Sequence, residues 1–502
     1  MLLSSLLLIP FAGSLALLLW PGSPSPSRLR LITIAILVVQ LGLSVVTALA
    51  FDPAQPGMQL QEHASWVPGI GLDYALGVDG LSLPLVLING ALTLVSAVIT
   101  RDISQRPRIY FAMLLLISGS VNGAFLAENL LLFFLFYELE LIPLWLLISV
   151  WGGANRGYAA TKFLIFTAIS GMLILGAFLG LALLTGRVDF SLTPVLSDRL
   201  AMGSQLVLLG ALLVGFGIKI PLVPLHNWLP DAHTQASTPV SVLLAGVLLK
   251  LGTYGMLRFG LQLFPEAWAK LAPALAIWAA ISVLYGSLAA IAQTDMKRMV
   301  AYSSVGHMGY VLLAAAANTP VSLLGAVFQM VSHGLISALL FLLVGIVYRK
   351  TGTRDLEVLR GLLNPEKGLP FTGSLMIVAV MASAGLPGMA GFISEFLVFR
   401  GSITVFPVAT LLSMVGSGLT AVYFLLLVNR AFFGRLAITP PSGDALADAR
   451  LDVQLAPVAS RETIPAIALA AAVVLLGVIP SSLGRLSEVA TTALAAMAPG
   501  VS

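Results

Sequence analysis

Residues 215–250 read GFGIKIPLVPLHNWLPDAHTQASTPVSVLLAGVLLK. The stretch opens inside an apolar run of membrane-spanning length, yet Gly215, Gly217, Pro221 and Pro224 interrupt that run and Lys219 places a charge in its middle. Ordinary spanning helices avoid both features. Proline removes a backbone donor, and a charge at the bilayer centre costs roughly 2.5–3.5 kcal/mol on insertion scales. An interrupted helix at membrane depth is tolerated where its freed backbone groups line a hydrated cavity, as in transporters. A second stretch, GLPGMAGFISE at 385–395, repeats the pattern with Gly385, Pro387, Gly388 and Gly391 ahead of an acid, Glu395.

Working outward, apolar segments of spanning length recur along all 502 residues with short polar breaks between them. Fourteen spans are expected, near 1–20, 31–50, 81–100, 109–127, 129–150, 161–185, 205–225, 240–258, 273–293, 301–317, 321–348, 370–399, 405–429 and 464–482. The first lacks the basic leader region of a secretory signal and reads as a spanning helix. The expected fold is therefore an all-α polytopic membrane protein. The two interruptions fall in spans seven and twelve, five spans apart. That spacing predicts two five-helix repeats, 109–260 and 273–432, each holding one broken helix. Five is odd, so the second copy enters the membrane from the opposite face and the repeats are inverted. Helices one to three occupy 1–108 and the last helix lies in 460–502.

Orientation follows from the 26 lysines and arginines. Lys162, Lys219 and Lys250 fall inside spans. Of the rest, 17 sit in loops after odd-numbered spans, from Arg28 and Arg30 through Arg435, Arg450 and Arg461. Only 6 lie on the other face, Arg187 and Arg258 among them. The excess of positive charge in cytoplasmic loops then puts both termini on the non-cytoplasmic side.

Composition agrees. Hydrophobic residues make up 58% and charged residues 10%, against roughly 45–50% and about 25% in soluble domains. There is no cysteine, so disulfides, thiolate-held iron–sulfur clusters and cysteine-containing zinc sites are excluded. Electron transfer coupled to this chain takes place elsewhere. A net charge of +4 on so long a chain carries no signal for nucleic acid.

Every ionisable residue inside a span is a functional candidate, because each is costly to place there. Glu138 and Glu140 lie in FFLFYELELIPLW on span five, Lys219 on span seven, Lys250 at the end of SVLLAGVLLK on span eight and Glu395 after the second interruption. On an ideal helix, residues two apart are separated by about 200°, so Glu138 and Glu140 are expected to face nearly opposite ways and not to share one site: one faces the bundle core while the other pairs with a neighbouring helix or meets an adjoining subunit, Glu140 being partly redundant with Glu138. The bland reading is a set of structural ion pairs that lock helices together. The spread of charges over five helices favours a relay instead. Lysine suits that role, since its charge can be switched by burial and by a moving carboxylate, whereas arginine stays protonated. All three intramembrane cations so assigned are lysines. Lys162, near a helix start, can reach the interface.

His307 and His333, on spans ten and eleven, suit proton transfer near neutral pH. His226 and His233 in PLHNWLPDAH read first as loop-capping or cavity-lining residues and second as relay groups. Haem ligation by facing histidines would leave the acids and lysines unexplained.

With these residues in hand, the chain resembles the antiporter-like subunit 4 of complex I, the NuoM and NdhD type. The resemblance is carried by YELELIPLWLLISVWGG at 137–153, residues 215–259, DMKRMVAYSSVGHMGYV at 295–311 and HGLISALLFLLVGIVYRK at 333–350. It implies that Glu138 pairs with Lys219, that Lys250 is the central lysine, and that Glu395 ends the path toward the next subunit. At this last position the sodium/proton antiporter relatives carry lysine. The ELE spelling is similar to the photosynthetic branch, whose complex works between ferredoxin and plastoquinone in the thylakoid. The resemblance further implies that this chain binds no cofactor. NAD(P)H or ferredoxin, iron–sulfur clusters and quinone would act in partner subunits, and neighbouring antiporter-like membrane subunits would be its partners. An Mrp-type sodium/proton antiporter subunit or a membrane hydrogenase subunit is the alternative.

Overall fold

The computed structural model describes residues 1–101, 103–186, 188, 190–192, 197–438 and 454–497; Arg187 and Arg450 of the loop count, and 498–502 of the C-terminal segment, lie outside the described residues. Helices cover each expected segment. Among the described residues, twelve are long and apolar enough to cross a membrane, and two more apolar helices, Leu83–Ile99 and Pro370–Ser383, are shorter. Four of the long helices form the middle of the bundle: Pro107–Leu126, Thr238–Leu261, Met296–Ala317 and Pro320–Thr351 are buried almost throughout. Peripheral helices such as Pro26–Ala50 instead turn Leu31, Val38 and Leu49 outward, the side chains a lipid surface accepts.

Small residues let the central helices approach. A β-carbon on Gly286 would stand 2.5 Å from the backbone nitrogen of Gly306, and one on Gly325 would stand 2.6 Å from that of Val398. Such contacts substitute backbone packing for the hydrophobic drive that lipid does not supply.

Both interruptions are present. Helix Met202–Lys219 stops at the charge, turns occupy the prolines, and a short helix, Trp228–Gln235, resumes. The released backbone groups find side-chain partners. The Trp228 indole donates to the Ile218 carbonyl at 2.8 Å, the Trp278 indole donates to the Val223 carbonyl at 2.5 Å, and the Val223 N–H donates to Ser282 Oγ at 3.2 Å. In the second interruption, Pro370–Ser383 gives way to Ala390–Ser402 through Gly385 and Gly388, both at positive φ (73° and 89°), where only glycine turns without strain.

Further departures from regular helix were not expected. The span holding Glu138 and Glu140 divides into Leu130–Leu139 and Leu141–Trp151. Pro143 explains the division: its ring crowds the carbonyl four residues back, at Leu139, and it lacks the N–H that carbonyl would accept. Span eight contains two π-helical turns, Leu244–Leu248 and Met256–Leu261. Beside the helices, the described residues include one antiparallel hairpin, Gln59–Val67 with Leu72–Val78. A terminal helix, Ser481–Ala495, packs so close to the end of that hairpin that a β-carbon on Gly80 would stand 2.3 Å from the Leu486 carbonyl.

The statement that every intramembrane cation is a lysine does not hold. Arg258 lies within Thr238–Leu261 and pairs with Asp79 at 2.6 Å, both buried, with Tyr254 and Gln262 accepting its remaining donors. Removing one partner of such a pair costs about 3–5 kcal/mol, whereas replacing both with apolar residues is close to neutral. Asp79→Leu is therefore expected to lower the abundance and thermal stability of the chain in membranes, and adding Arg258→Met should restore most of both. A stable single variant would remove this pair from the list of fold determinants.

Candidate charge-relay site

The first unit is built where three helices meet. Tyr137 from Leu130–Leu139 hydrogen-bonds Ser170 of Arg156–Thr185 at 3.0 Å, and Ser170 donates to the Gly215 carbonyl of Met202–Lys219 at 2.7 Å. Lys219, fully buried, lies 4.6 Å from the centre of the Tyr137 ring and donates to the carboxylate of Glu140. The expected pairing with Glu138 is thus corrected: the acid in contact is Glu140. The kink above Pro143 is the reason, because it breaks the regular 100° step on which the opposite-faces argument depended. Glu138, only partly buried, lies over Gly171, whose missing side chain makes room for its carboxylate. Both acids act electrostatically on Lys219, so they share one site after all.

Gly252 brings the second unit alongside the first. A β-carbon there would stand 3.1 Å from Cβ of Lys219, and Lys250 is two residues earlier on the same helix. Its ammonium donates to the Ala245 carbonyl at 2.6 Å, within the first π-turn, and meets His333 Nδ1 at 2.8 Å. The crossing that sets this contact again runs through glycines: a β-carbon on Gly334 would stand 2.9 Å from the Gly246 carbonyl.

The third unit continues from His333. Its ring lies 5.6 Å from that of His307. The His307 ring nitrogens face the carbonyls of Ser303 (2.8 Å) and Ser383 (3.3 Å), the second of these at the broken end of Pro370–Ser383. Only the doubly protonated ring satisfies both carbonyls at once. Glu395 Oε1 lies 3.9 Å from His307 Nε2, while Oε2 accepts a hydrogen bond from Ser417 at 2.5 Å. A cavity of about 10 Å³ among His307, Ser332, His333, Ser383 and Glu395 is about the size that admits one water molecule.

The loop-capping role considered for the other two histidines is not what the geometry gives. His233, on the short helix after the break, is fully buried and stacked on Phe341, with ring centres 4.4 Å apart. His226 is buried edge-on to Tyr285 at 5.0 Å. Neither ring makes a hydrogen bond among the described residues. Lys162 meets Asp231 at 2.7 Å, both side chains half-buried.

Four buried charged residues were not singled out as candidates from the sequence: Asp79, Arg258, Lys297 and Glu462, the last buried between Arg349 (2.6 Å) and Arg101 (3.5 Å). Glu462 had a readable signal, an acid opening an apolar run. The Asp79–Arg258 contact, across 179 positions, had none.

Interrupted helices that bring carboxylates, lysines and imidazoles into contact within an apolar bundle define a multi-pass membrane protein of the charge-translocating class. The chain belongs to the NADH:quinone oxidoreductase/Mrp antiporter transmembrane family, whose model matches residues 127–420. It is 43% identical over 452 residues to NAD(P)H-quinone oxidoreductase chain 4 1 of Synechococcus elongatus, covering 89% of this chain and 82% of that protein. It is 39% identical over 501 residues to NAD(P)H-quinone oxidoreductase chain 4 2 of Thermosynechococcus vestitus, covering 98% and 91%. Its fold matches a chain of respiratory complex I from Thermus thermophilus with bound NADH at a TM-score of 0.87, with 29% identity and full coverage of both chains.

Proposed function

We propose that this chain is the proton-translocating, antiporter-like membrane subunit of a complex I-type NAD(P)H or ferredoxin:quinone oxidoreductase. The observation that carries the proposal is the run of buried contacts Glu140–Lys219, Lys250–His333 and His307–Glu395, each beside a helix irregularity. The irregularities support division of the chain into inverted repeats at 109–260 and 273–432. The cyanobacterial relatives support a thylakoid location and partnership with neighbouring membrane subunits.

The mechanism is electrostatic. A proton reaching the Glu140 carboxylate removes the counter-charge of Lys219. The ammonium is then free to pass its proton toward Lys250, and the change in charge is felt along His333 and His307 to Glu395. Moving each charge against the membrane potential costs about 2.3 kcal/mol per 100 mV, which redox chemistry in other subunits supplies. Glu395, an acid where antiporter relatives carry lysine, favours this reading over the Mrp-type alternative.

Lys250 gives the direct test. Its removal leaves no unpaired acid behind, since its contacts are a carbonyl and an imidazole. Lys250→Ala complexes should therefore assemble at normal abundance and lose proton uptake in membrane vesicles. An unchanged ratio of protons to electrons would return these lysines to a packing role.

A further inference from the structure

A cavity of about 530 Å³ opens on the face that carries the basic loops, between the exposed residues Arg101, Gly153 and Ala154. Its wall includes Lys297, which lies at the start of Met296–Ala317 and is itself buried. The Lys297 ammonium donates to the Ala236 carbonyl at 2.5 Å, at the C-terminal end of the short helix Trp228–Gln235. Three residues earlier on that helix is His233, both of whose ring nitrogens are buried without a hydrogen-bond partner among the described residues. The charges that act on this imidazole are Lys297 and Lys250. One titratable group therefore faces the cavity, one belongs to the relay, and an unengaged imidazole lies between them.

We infer that Lys297 and His233 form the uptake branch that loads the relay from the basic-loop face, an inference that rests on the proton-relay reading above. A proton from the aqueous face, carried into the cavity as hydronium, is taken by Lys297 in its neutral amine form, and water is left behind. Lys297 passes it to the unprotonated nitrogen of His233, through a bridging water or by rotation of the ring, and returns to the neutral state. His233 releases the proton from its other nitrogen toward Lys250. No bond other than N–H and O–H forms or breaks.

The competing role for Lys297 is a fixed cation capping the C-terminus of a helix. Arginine and histidine separate the two. Arginine caps at least as well as lysine but does not release a proton, whereas histidine titrates but caps less well. Proton uptake per assembled complex should fall about tenfold or more in Lys297→Arg, the scale of a lost proton-transfer group. Lys297→His should retain several times the activity of Lys297→Arg. If Lys297→Arg pumps as well as or better than Lys297→His, the uptake role is wrong and the cap is right. His233→Phe keeps the stack on Phe341 and should reproduce the Lys297→Arg loss; normal pumping there also overturns the branch. Lys250→Ala, measured in parallel, keeps the two readings apart. Loss in Lys250→Ala with normal pumping in Lys297→Arg removes only this branch, whereas pumping retained in Lys250→Ala removes the relay itself.

Discussion

Complexes carrying Lys219→Ala are expected to assemble and to pump at under about a tenth of the normal rate, a decade being worth about 1.4 kcal/mol of barrier. The helices around it are stitched by Tyr137, Ser170 and the Gly215 carbonyl, and the Glu140 carboxylate left without its counter-charge can take a proton and become neutral, so the bundle closes without the ammonium. The acid that matters most to Lys219 is the one in contact. Glu140→Gln keeps the shape of the side chain but leaves an ammonium at full burial without a counter-charge, at a cost of about 3–5 kcal/mol. Lys219 is then held in one protonation state and no longer switches. Glu138→Gln leaves the contact pair intact and should cost less. Proton uptake measured by dye quenching, normalised to complex abundance on native gels, decides the order. A larger loss in Glu138→Gln than in Glu140→Gln would mean that the working pair is the one the family resemblance implies, Glu138 with Lys219.

Glu395→Gln should slow quinone reduction as well as pumping, because a blocked terminal group in a coupled machine holds back the redox step. The carboxylate is gripped from two sides, by Ser417 and by the imidazole of His307. A glutamine can keep the first contact but removes the charge that stabilises a protonated His307. Glu395→Asp keeps the charge on a shorter arm and should retain part of both activities. Gly385 gives a second approach to the same point, since a β-carbon there would stand 3.0 Å from Glu395 Oε2 on a backbone at positive φ. Gly385→Ala should therefore resemble Glu395→Gln. Normal electron transfer and pumping in Glu395→Gln at normal abundance would leave the residue as an incidental acid beside a cavity.

The membrane fold was largely legible, because hydropathy registers directly what a bilayer demands of each segment. The interruptions at Pro221–Pro224 and at Gly385–Gly388 were legible for the same reason: proline and glycine act locally. Lys219, Lys250, His307, His333 and Glu395 could be singled out one by one, since each is expensive where it stands. What could not be read was which of them touch. Lys250 meets His333 because Gly246 and Gly334 let two helices cross closely, and no single-sequence pattern gives a crossing. The choice between Glu138 and Glu140 was misread despite an available signal: Pro143 should have warned that the helix is not regular at that point. Arg258 was counted with a loop because it stands at the last position of the expected span 240–258, whereas the π-turn Met256–Leu261 carries the helix past it.

The first π-turn has a consequence for how this segment tolerates change in length. A π-turn holds more residues than an α-helical turn covering the same rise, so everything after Leu248 is rotated relative to a regular helix. Loss of a single codon between Leu244 and Leu248 would leave hydropathy and charge almost untouched, and by any compositional measure the span would look intact. It would nevertheless remove the residue that the wide turn accommodates: Lys250 would keep its direction toward His333, but the Ala245 carbonyl that now holds the ammonium would return to a regular helical ladder. Here the count of residues, and not their kind, carries the information.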